Sequence, residues 1–329
     1  MTPRKLWIVI PARGGSQQIP RKNLVMCGGK PLIQYVVETS IAAVCKSQVV
    51  VISDDLEIDW FARRFGVRTV LEKGRSDAGE TLDEKILRNV PALREFGAVE
   101  HDVIATVQPT SPLITPQSVL RGYELMDEQV GSVVSVTAER HLTWALRGEA
   151  NGAPTPLFQA RVNRQSIKPV YRETGGLICA RLGDLEIHGS RVVEPVQLLP
   201  LVDEEGIDID TFGDLFEAEH FLTRRKVVIR FDAGPLRGLG HLYRGLSIAQ
   251  ELSRHEVIFV VSGDLPLIET LLEPHPFGRF AIENEAAFAE ILIREQPDLL
   301  VLDILDTRSN DIDSWRELAP DAKIVTFED

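Results

Sequence analysis

Six consecutive apolar residues, LWIVIP (6–11), run without a polar interruption into ARGGSQQIPRKN (12–23). A run with no alternation offers no side to water, so it reads as a strand buried on both faces, as in a parallel sheet covered by helices. Parallel sheets bind ligands beyond the carboxyl ends of their strands, which is where the glycine-rich basic segment falls. A helix over 31–44 completes this unit, with Leu32, Tyr35, Val36, Thr39 and Ala43 at helical spacing and Pro31 suited to its first turn.

The same alternation continues. Strands are expected at QVVVIS (48–53), VRTVL (67–71), DVIATVQ (102–108) and GSVVSVTA (131–138), with the stretches GLICA (176–180), EPVQLLP (194–200) and GIDID (206–210) further on. Helices are expected from Asp54, whose carboxylate can cap the first turn, and over 82–95, 116–128 and 212–223. The fold class that follows is α/β with a mostly parallel sheet. Residues 140–175 break the pattern with Trp144, Gly148, Gly152, Pro154, Pro156 and Pro169, and read as hairpins inserted into it, forming an acceptor site or a dimer arm. KVVIRFD (226–232) opens a second strand–loop–helix series with EVIFVV (256–261), DLLVLDIL (298–305) and KIVTF (323–327), about four strands in all. Two domains are expected, 1–225 and 226–329.

Asp and Glu outnumber Lys and Arg by 49 to 36, a formal charge of −13, so the long-range field repels anions and argues against a nucleic-acid partner. Arg4, Lys5, Arg13, Arg21 and Lys22 can still make a local phosphate site. The first apolar run is too short for a signal segment or a membrane span, which predicts a cytoplasmic chain with no membrane partner. Cys27, Cys45 and Cys179 lack a CxxC spacing and read as ordinary thiols.

In the 12–23 segment, Gly14 and Gly15 allow backbone amides to turn toward an anion, while Arg13, Arg21 and Lys22 carry positive charge. The spacing is neither GxGxxG nor GxxxxGK[ST], so dinucleotide and P-loop readings both lack their fingerprint. A charged surface turn gives the same spacing; position after the first strand favours the phosphate loop. IDID (207–210) sets Asp208 and Asp210 two apart in an extended segment, on one side, where they can share a magnesium ion or merely form an acidic face. Gln108, Thr110 and Ser111 follow a strand end and can hydrogen-bond a sugar, or form a plain turn. RQSIKPVYRETGG (164–176) brings Arg164, Lys168, Tyr171 and Arg172 together, suited to a carboxylate or to a solvated hairpin. The histidines show no metal-ligand spacing.

IPARGGSQQIPRKN (10–23), ISDD (52–55), QPTSPL (108–113), RQSIKPVYRETGG (164–176) and GIDIDT (206–211) occur in one order over residues 5–223, and together they resemble the acylneuraminate cytidylyltransferases and relatives acting on bacterial nonulosonic acids. The resemblance implies a Rossmann-like domain, a homodimer through an extended arm, and transfer of CMP from CTP to an acidic nonulosonic sugar with release of pyrophosphate. It implies Arg13 and Lys22 on the triphosphate, with Gly14, Gly15, Ser16 and Asn23 in the nucleotide loop. Gln108, Thr110, Ser111, Arg164 and Tyr171 would serve the sugar, and Asp208 and Asp210 would hold Mg2+. The chain departs from the family pattern at Gln17, Ile114, Thr174 and Glu72, the last in the place of an arginine for which Arg75 is a candidate substitute. Reduced activity, a sugar-nucleotide-binding role, or nucleotidyl transfer to 3-deoxy-octulosonate or another sugar are the alternatives those departures leave open.

RFDAGPLRGLGHLYRGLSIAQEL (230–252) carries Gly238, Gly240, His241 and Arg244 in a GxGHxxR pattern that resembles the nucleotide-sugar hydrolases of pseudaminic acid synthesis. Those are built like two-lobed glycosyltransferases, and the resemblance covers the first lobe. It implies His241 as the residue that activates water, and a second lobe in a longer bifunctional protein.

Overall fold

The computed structural model describes residues 3–16, 18–72, 79–146, 152–234, 238–263, 265–304 and 309–327. Two compact units divide the chain, Met1–Leu222 and Thr223–Asp329.

The first unit is α/β, with a seven-stranded sheet in the order Val196–Pro200, Ser132–Glu139, Val170–Arg181, Val103–Val107, Leu6–Pro11, Val49–Ser53, Arg68–Leu71. All neighbours pair in parallel except Val170–Arg181, which runs antiparallel to both of its neighbours. The uninterrupted apolar run of the first strand has its cause here. Leu6, Ile8 and Ile10 enter the core on one face of the sheet, while Trp7 and Val9 enter the core on the other. Each face is covered by helices, the former by Leu32–Ala43 through Ile33, Val36 and Val37 and the latter by Leu82–Arg88 and Val90–Glu95 through Ile86, Val90 and Leu93.

Several local expectations are corrected. Asp55, not Asp54, caps the helix Leu56–Arg63, its carboxylate accepting from the amides of Glu57 and Ile58. Asp54 turns the other way, toward the 12–16 loop. The helix expected over 82–95 is two, Leu82–Arg88 and Val90–Glu95, joined at Asn89. Pro91 has no amide to give the Leu87 carbonyl and breaks the ladder there. Val170–Arg181 begins well before GLICA and pairs with Ser132–Glu139 from Val170 opposite Glu139, so part of the stretch assigned to an insertion extends the sheet. Within the remainder, Trp144–Leu146 pairs antiparallel with Pro154–Pro156.

The second unit holds a five-stranded, all-parallel sheet ordered Gly278–Ala281, Glu256–Gly263, Lys226–Ala233, Leu299–Asp303, Lys323–Thr326. Four of these strands were expected. Gly278–Ala281 is a short edge strand, and its GRFA sequence has neither the length nor the apolar run that announces a central one. Alternate residues again feed two cores, Val227, Ile229 and Phe231 on one face and Val228 on the other. Among the described residues no helix is long and apolar enough to cross a membrane.

Candidate functional site

A cleft of about 280 Å3 opens beyond the carboxyl ends of the two adjacent strands Leu6–Pro11 and Val103–Val107. Arg13, Gly15, Ser16, Lys22 and Asn23 form one side of it. Gln108 and Thr110 form the floor, and Asp208 and Asp210 reach in from a segment far along the chain. The remaining wall, Glu80, Thr81, Leu82 and Lys85, comes from the start of the helix Leu82–Arg88.

The 12–23 loop is held from within. The Asn23 amide nitrogen donates to the Arg13 carbonyl at 2.8 Å, and Asn23 is buried. The Gly14 amide donates to Asp54 at 2.8 Å, so it is engaged by a carboxylate rather than presented to an anion, and Gly14 is not on the cleft wall. A side chain at Gly14 would also meet Asp55, its Cβ lying 2.6 Å from Oδ2. Arg21, expected to add charge to the phosphate site, instead pairs with Glu57 at 2.8 Å and with Asp55 at 3.3 Å. Both acids belong to the start of the neighbouring helix, a proximity that only the sheet order creates. Gln17 lies outside the described residues, as does Arg75.

Lys22 is the most enclosed cation of the loop, its side chain 13% exposed. The ammonium donates to the Ile209 carbonyl at 2.7 Å and to Asp210 Oδ1 at 2.9 Å, joining the loop to the acidic segment. That segment, residues 207–210, belongs to no strand, yet it keeps the expected alternation. Ile207 and Ile209 pack with Ile19, Cys27 and Leu32, and the Ile209 amide donates to the Thr110 carbonyl at 2.8 Å. Asp208 and Asp210 are thereby turned into the cleft. Asp214 closes the segment by accepting from the amides of Asp210 and Thr211 at 3.0 and 2.7 Å.

Burial pushes the Asp208 carboxyl above the ordinary range, and the nearby Asp210 and Asp214 add to this against the pull of Thr110 and Lys22. Its Oδ1 is buried with no hydrogen bond of ordinary geometry, nor has the facing Thr110 hydroxyl one. An orphaned carboxylate oxygen beside a second carboxylate, in a water-accessible cleft, is a donor set that a hard cation such as Mg2+ fits. Among the described residues no three His, Cys, Asp or Glu side chains cluster as a complete cage, so water and substrate oxygens would supply the other ligands, as Mg2+ commonly requires.

The predicted sugar residues separate. Gln108 lines the cleft and donates to the Gly175 carbonyl at 2.6 Å, which orients its amide. Ser111 does not line it; it is 1% exposed and faces Gly176, whose Cβ would come 2.8 Å from Oγ. Arg164, in the turn Arg164–Ser166, and Tyr171, on the outer half of Val170–Arg181, are exposed and away from the cleft wall. Arg172 beside them pairs with Glu139 at 2.6 Å. Thr174 is buried against Ser135 at 2.7 Å, and Ile114 is in the core, so both departures from the family pattern are packing residues.

Lys85 on the cleft wall, and Glu72 paired with it, are the features that sequence reasoning missed or misjudged. Glu72 turns inward, its carboxylate taking Lys85 at 2.7 Å on one oxygen and Arg88 and Asn89 on the other at 2.5 and 2.7 Å. Burial pushes the Glu72 carboxyl up, but these donors hold it below the ordinary range. The visible signal was TLDE (81–84), a capping box that marks the helix start without revealing which residue it offers to the cleft.

In the second unit, His241 sits in the first turn of the helix Gly240–Glu251, buried, with Nδ1 2.7 Å from Asp303 Oδ1. Arg244 grips the same carboxylate through Nε and Nη2 at 2.7 and 2.6 Å. Burial pushes the Asp303 carboxyl up, and the hydrogen bonds from Arg244 and His241 outweigh it and hold it below the ordinary range. Asp303 ends its strand, so the group stands at the carboxyl edge of the second sheet.

Residues 7–150 match the sequence model of a family described as cytidylyltransferase. CMP-N,N'-diacetyllegionaminic acid synthase of Legionella pneumophila is 29% identical over 213 residues, covering 63% of this chain and 91% of that protein. Pseudaminic acid cytidylyltransferase of Campylobacter jejuni is 33% identical over 118 residues, 35% of this chain and 50% of that one. 3-Deoxy-manno-octulosonate cytidylyltransferase of Francisella philomiragia is 32% identical over 133 residues, 40% and 50% respectively. The chain thus spans nearly all of the first relative and about half the length of the other two. A solved CMP:2-keto-3-deoxy-manno-octonic acid synthetase in complex with CTP shares the fold, with a TM-score of 0.50 at 20% identity over 66% of this chain and 98% of that one.

Proposed function

Because the chain belongs, through its first unit, to the cytidylyltransferase family, we propose that this unit transfers CMP from CTP to a nonulosonic acid. The observation that carries this reading is that Arg13 and Lys22 share one cleft with the Asp208–Asp210 pair beyond the ends of two parallel strands, Lys22 in contact with Asp210. Arg13 and Lys22 bind the triphosphate, the first as a planar fork and the second as a point charge held in place by Asp210. Gln108, its amide fixed by Gly175, orients the acceptor between them. The sugar's anomeric oxygen then forms a bond to the α-phosphorus as the bond to the β-phosphate oxygen breaks, and pyrophosphate leaves while the hydroxyl proton is lost to solvent. Asp208 and Asp210 are the residues that would hold Mg2+, which when bound neutralises charge on the transferring phosphate. We take the reaction to be cytoplasmic. Pyrophosphate release from CTP with legionaminic, pseudaminic, N-acetylneuraminic and 3-deoxy-octulosonic acids and with neutral sugars tests the reading. Turnover confined to neutral sugars, or none with CTP bound, would overturn it.

The arm supports a homodimer. Trp144, Leu146, Leu157, Val162 and Val170 are all exposed on it, 45–65% of their surface, apolar side chains of the kind that interfaces cover. Arg164 and Tyr171 lie on the same arm, so in a dimer their role would be to meet the sugar carboxylate of a neighbouring site. Arg164→Ala is expected to raise the acidic sugar's KM by about 10–100-fold, the cost of one charged hydrogen bond, with the KM for CTP little changed. An unaltered sugar KM would remove Arg164 from that role.

For the second unit the proposal is hydrolysis of a nucleotide-linked sugar, with His241 activating water. Its support is the buried hydrogen bond from His241 Nδ1 to the Asp303 carboxylate, which fixes one ring nitrogen and leaves the other to the chemistry. His241→Asn is expected to lower release of sugar from nucleotide-linked amino sugars at least about 100-fold. A variant that hydrolyses at the parental rate would exclude the role.

A further inference from the structure

Lys85, on the wall of the nucleotide cleft, forms an ion pair with Glu72, which does not line the cleft, and stability alone does not account for it. Their side chains are 6% and 8% exposed, and the contact is 2.7 Å. Withdrawing two charges from water generally costs more than packing apolar side chains of the same volume. The pair is nonetheless well built. Arg88 and Asn89 occupy the other Glu72 oxygen, and Arg88 also pairs with Glu80, so these acids are matched by cations of the same helix. The helix start is fixed by the Thr81–Glu84 capping box, which sets Lys85 one turn in, on the cleft side.

Local charge indicates what such a lysine can take. Arg13 and Lys22 stand across the cleft beside the acidic pair, where a polyphosphate would be held. Lys22 also touches a carboxylate, but Asp210 is 65% exposed and screened by water, whereas Glu72 behind Lys85 is 8% exposed, so Lys85 is the more fully neutralised of the two. A neutralised cation is a poor partner for a phosphate, which gains most from net positive charge, but a good donor to a neutral carbonyl or hydroxyl oxygen. We propose that Lys85 donates to a neutral oxygen of the nucleoside part of CTP, with Glu72 as the positioning residue that holds its ammonium at the wall. This rests on the CTP reading of the cleft. It gives Glu72, which stands where the family pattern has a cation, the task of fixing a cation supplied from the adjacent helix.

Calorimetric binding of CTP, and separately of inorganic tripolyphosphate, to the full chain tests the assignment. Because removing one partner of a buried pair can unfold the region, the informative variant is the double replacement Glu72→Leu with Lys85→Met, checked by its thermal unfolding. The double variant is expected to fold and to bind CTP about 10–100-fold more weakly, the range for a charged donor on a neutral acceptor, with tripolyphosphate binding unchanged. Glu72→Gln alone is expected to weaken CTP binding in the parental chain but to have no further effect beside Lys85→Met. Parental CTP affinity in the folded double variant would overturn the inference, leaving the pair a packing element. An equal loss on tripolyphosphate would overturn it in favour of a phosphate contact. A parental chain that binds tripolyphosphate but not CTP would overturn the CTP reading itself.

Discussion

Asp208→Asn is expected to lower CMP transfer by about 100–1000-fold while leaving the protein as stable as its parent or more so. Both halves follow from the same environment. The carboxylate is buried, one oxygen lacks a partner, and Asp210 and Asp214 are close, so its ionised form is disfavoured in the folded chain. A carboxyl whose folded pKa lies above its unfolded value costs stability once the pH exceeds the unfolded value, so at neutral pH the fold bears an unfavourable charge. Asparagine keeps the shape and removes that charge. The chemistry loses a hard anionic oxygen at the same time, so the magnesium concentration needed for half-maximal rate should rise. Asp210→Asn should do less, because Asp210 is 65% exposed and already shares its charge with Lys22. Magnesium titrations of initial rate beside melting curves read out both effects. A parental rate and metal dependence in both variants would reduce the two carboxylates to an acidic surface.

Lys22→Ala is expected to cost about 100-fold in kcat/KM for CTP, with the loss shared between substrate binding and the chemical step. The ammonium has two tasks. It faces the cleft where the triphosphate would lie, and it ties the 12–23 loop to Ile209 and Asp210 at 2.7 and 2.9 Å. Alanine removes both, whereas Lys22→Arg keeps the charge but cannot reproduce both contacts with a compact point donor. Arginine should therefore recover CTP binding better than it recovers turnover. Steady-state kinetics with CTP varied at saturating sugar distinguish these effects, and near-parental values for the alanine variant would exclude Lys22 from the site.

The parts of this architecture that were legible in the sequence are those fixed by uninterrupted local patterns. LWIVIP had to be a central strand, because Leu6, Ile8 and Ile10 serve one core and Trp7 and Val9 the other. The IDID alternation put the carboxylates together for a local reason, the burial of Ile207 and Ile209, although the segment is not a strand. What was illegible depends on neighbours distant in sequence. The antiparallel course of Val170–Arg181 is set by its insertion between two other strands, and its outer half is exposed and carries no clean apolar alternation. Ser111 sits in a polar motif, yet close approach of Gly176 buries it. Arg21 and Lys22 are adjacent and chemically alike, but one faces Glu57 and the other the cleft, because Arg21 adopts a left-handed backbone at φ 54°. The Glu72–Lys85 pair joins a strand end to a helix wall, which no residue spacing announces.

The bond from Lys22 to Ile209 spans 187 residues of sequence. Closing so long a loop requires ordering of the chain between its ends, and contacts of this range form late on folding routes. On a ribosome, the loop after the first strand emerges early and waits for its acidic partner until almost the whole first unit has been synthesised. The sheet can begin to assemble during that interval, but the cleft cannot. Competence for CTP should thus appear as a late step in the life of each nascent chain, and a chain halted before residue 207 would carry the basic loop without the carboxylates that balance it.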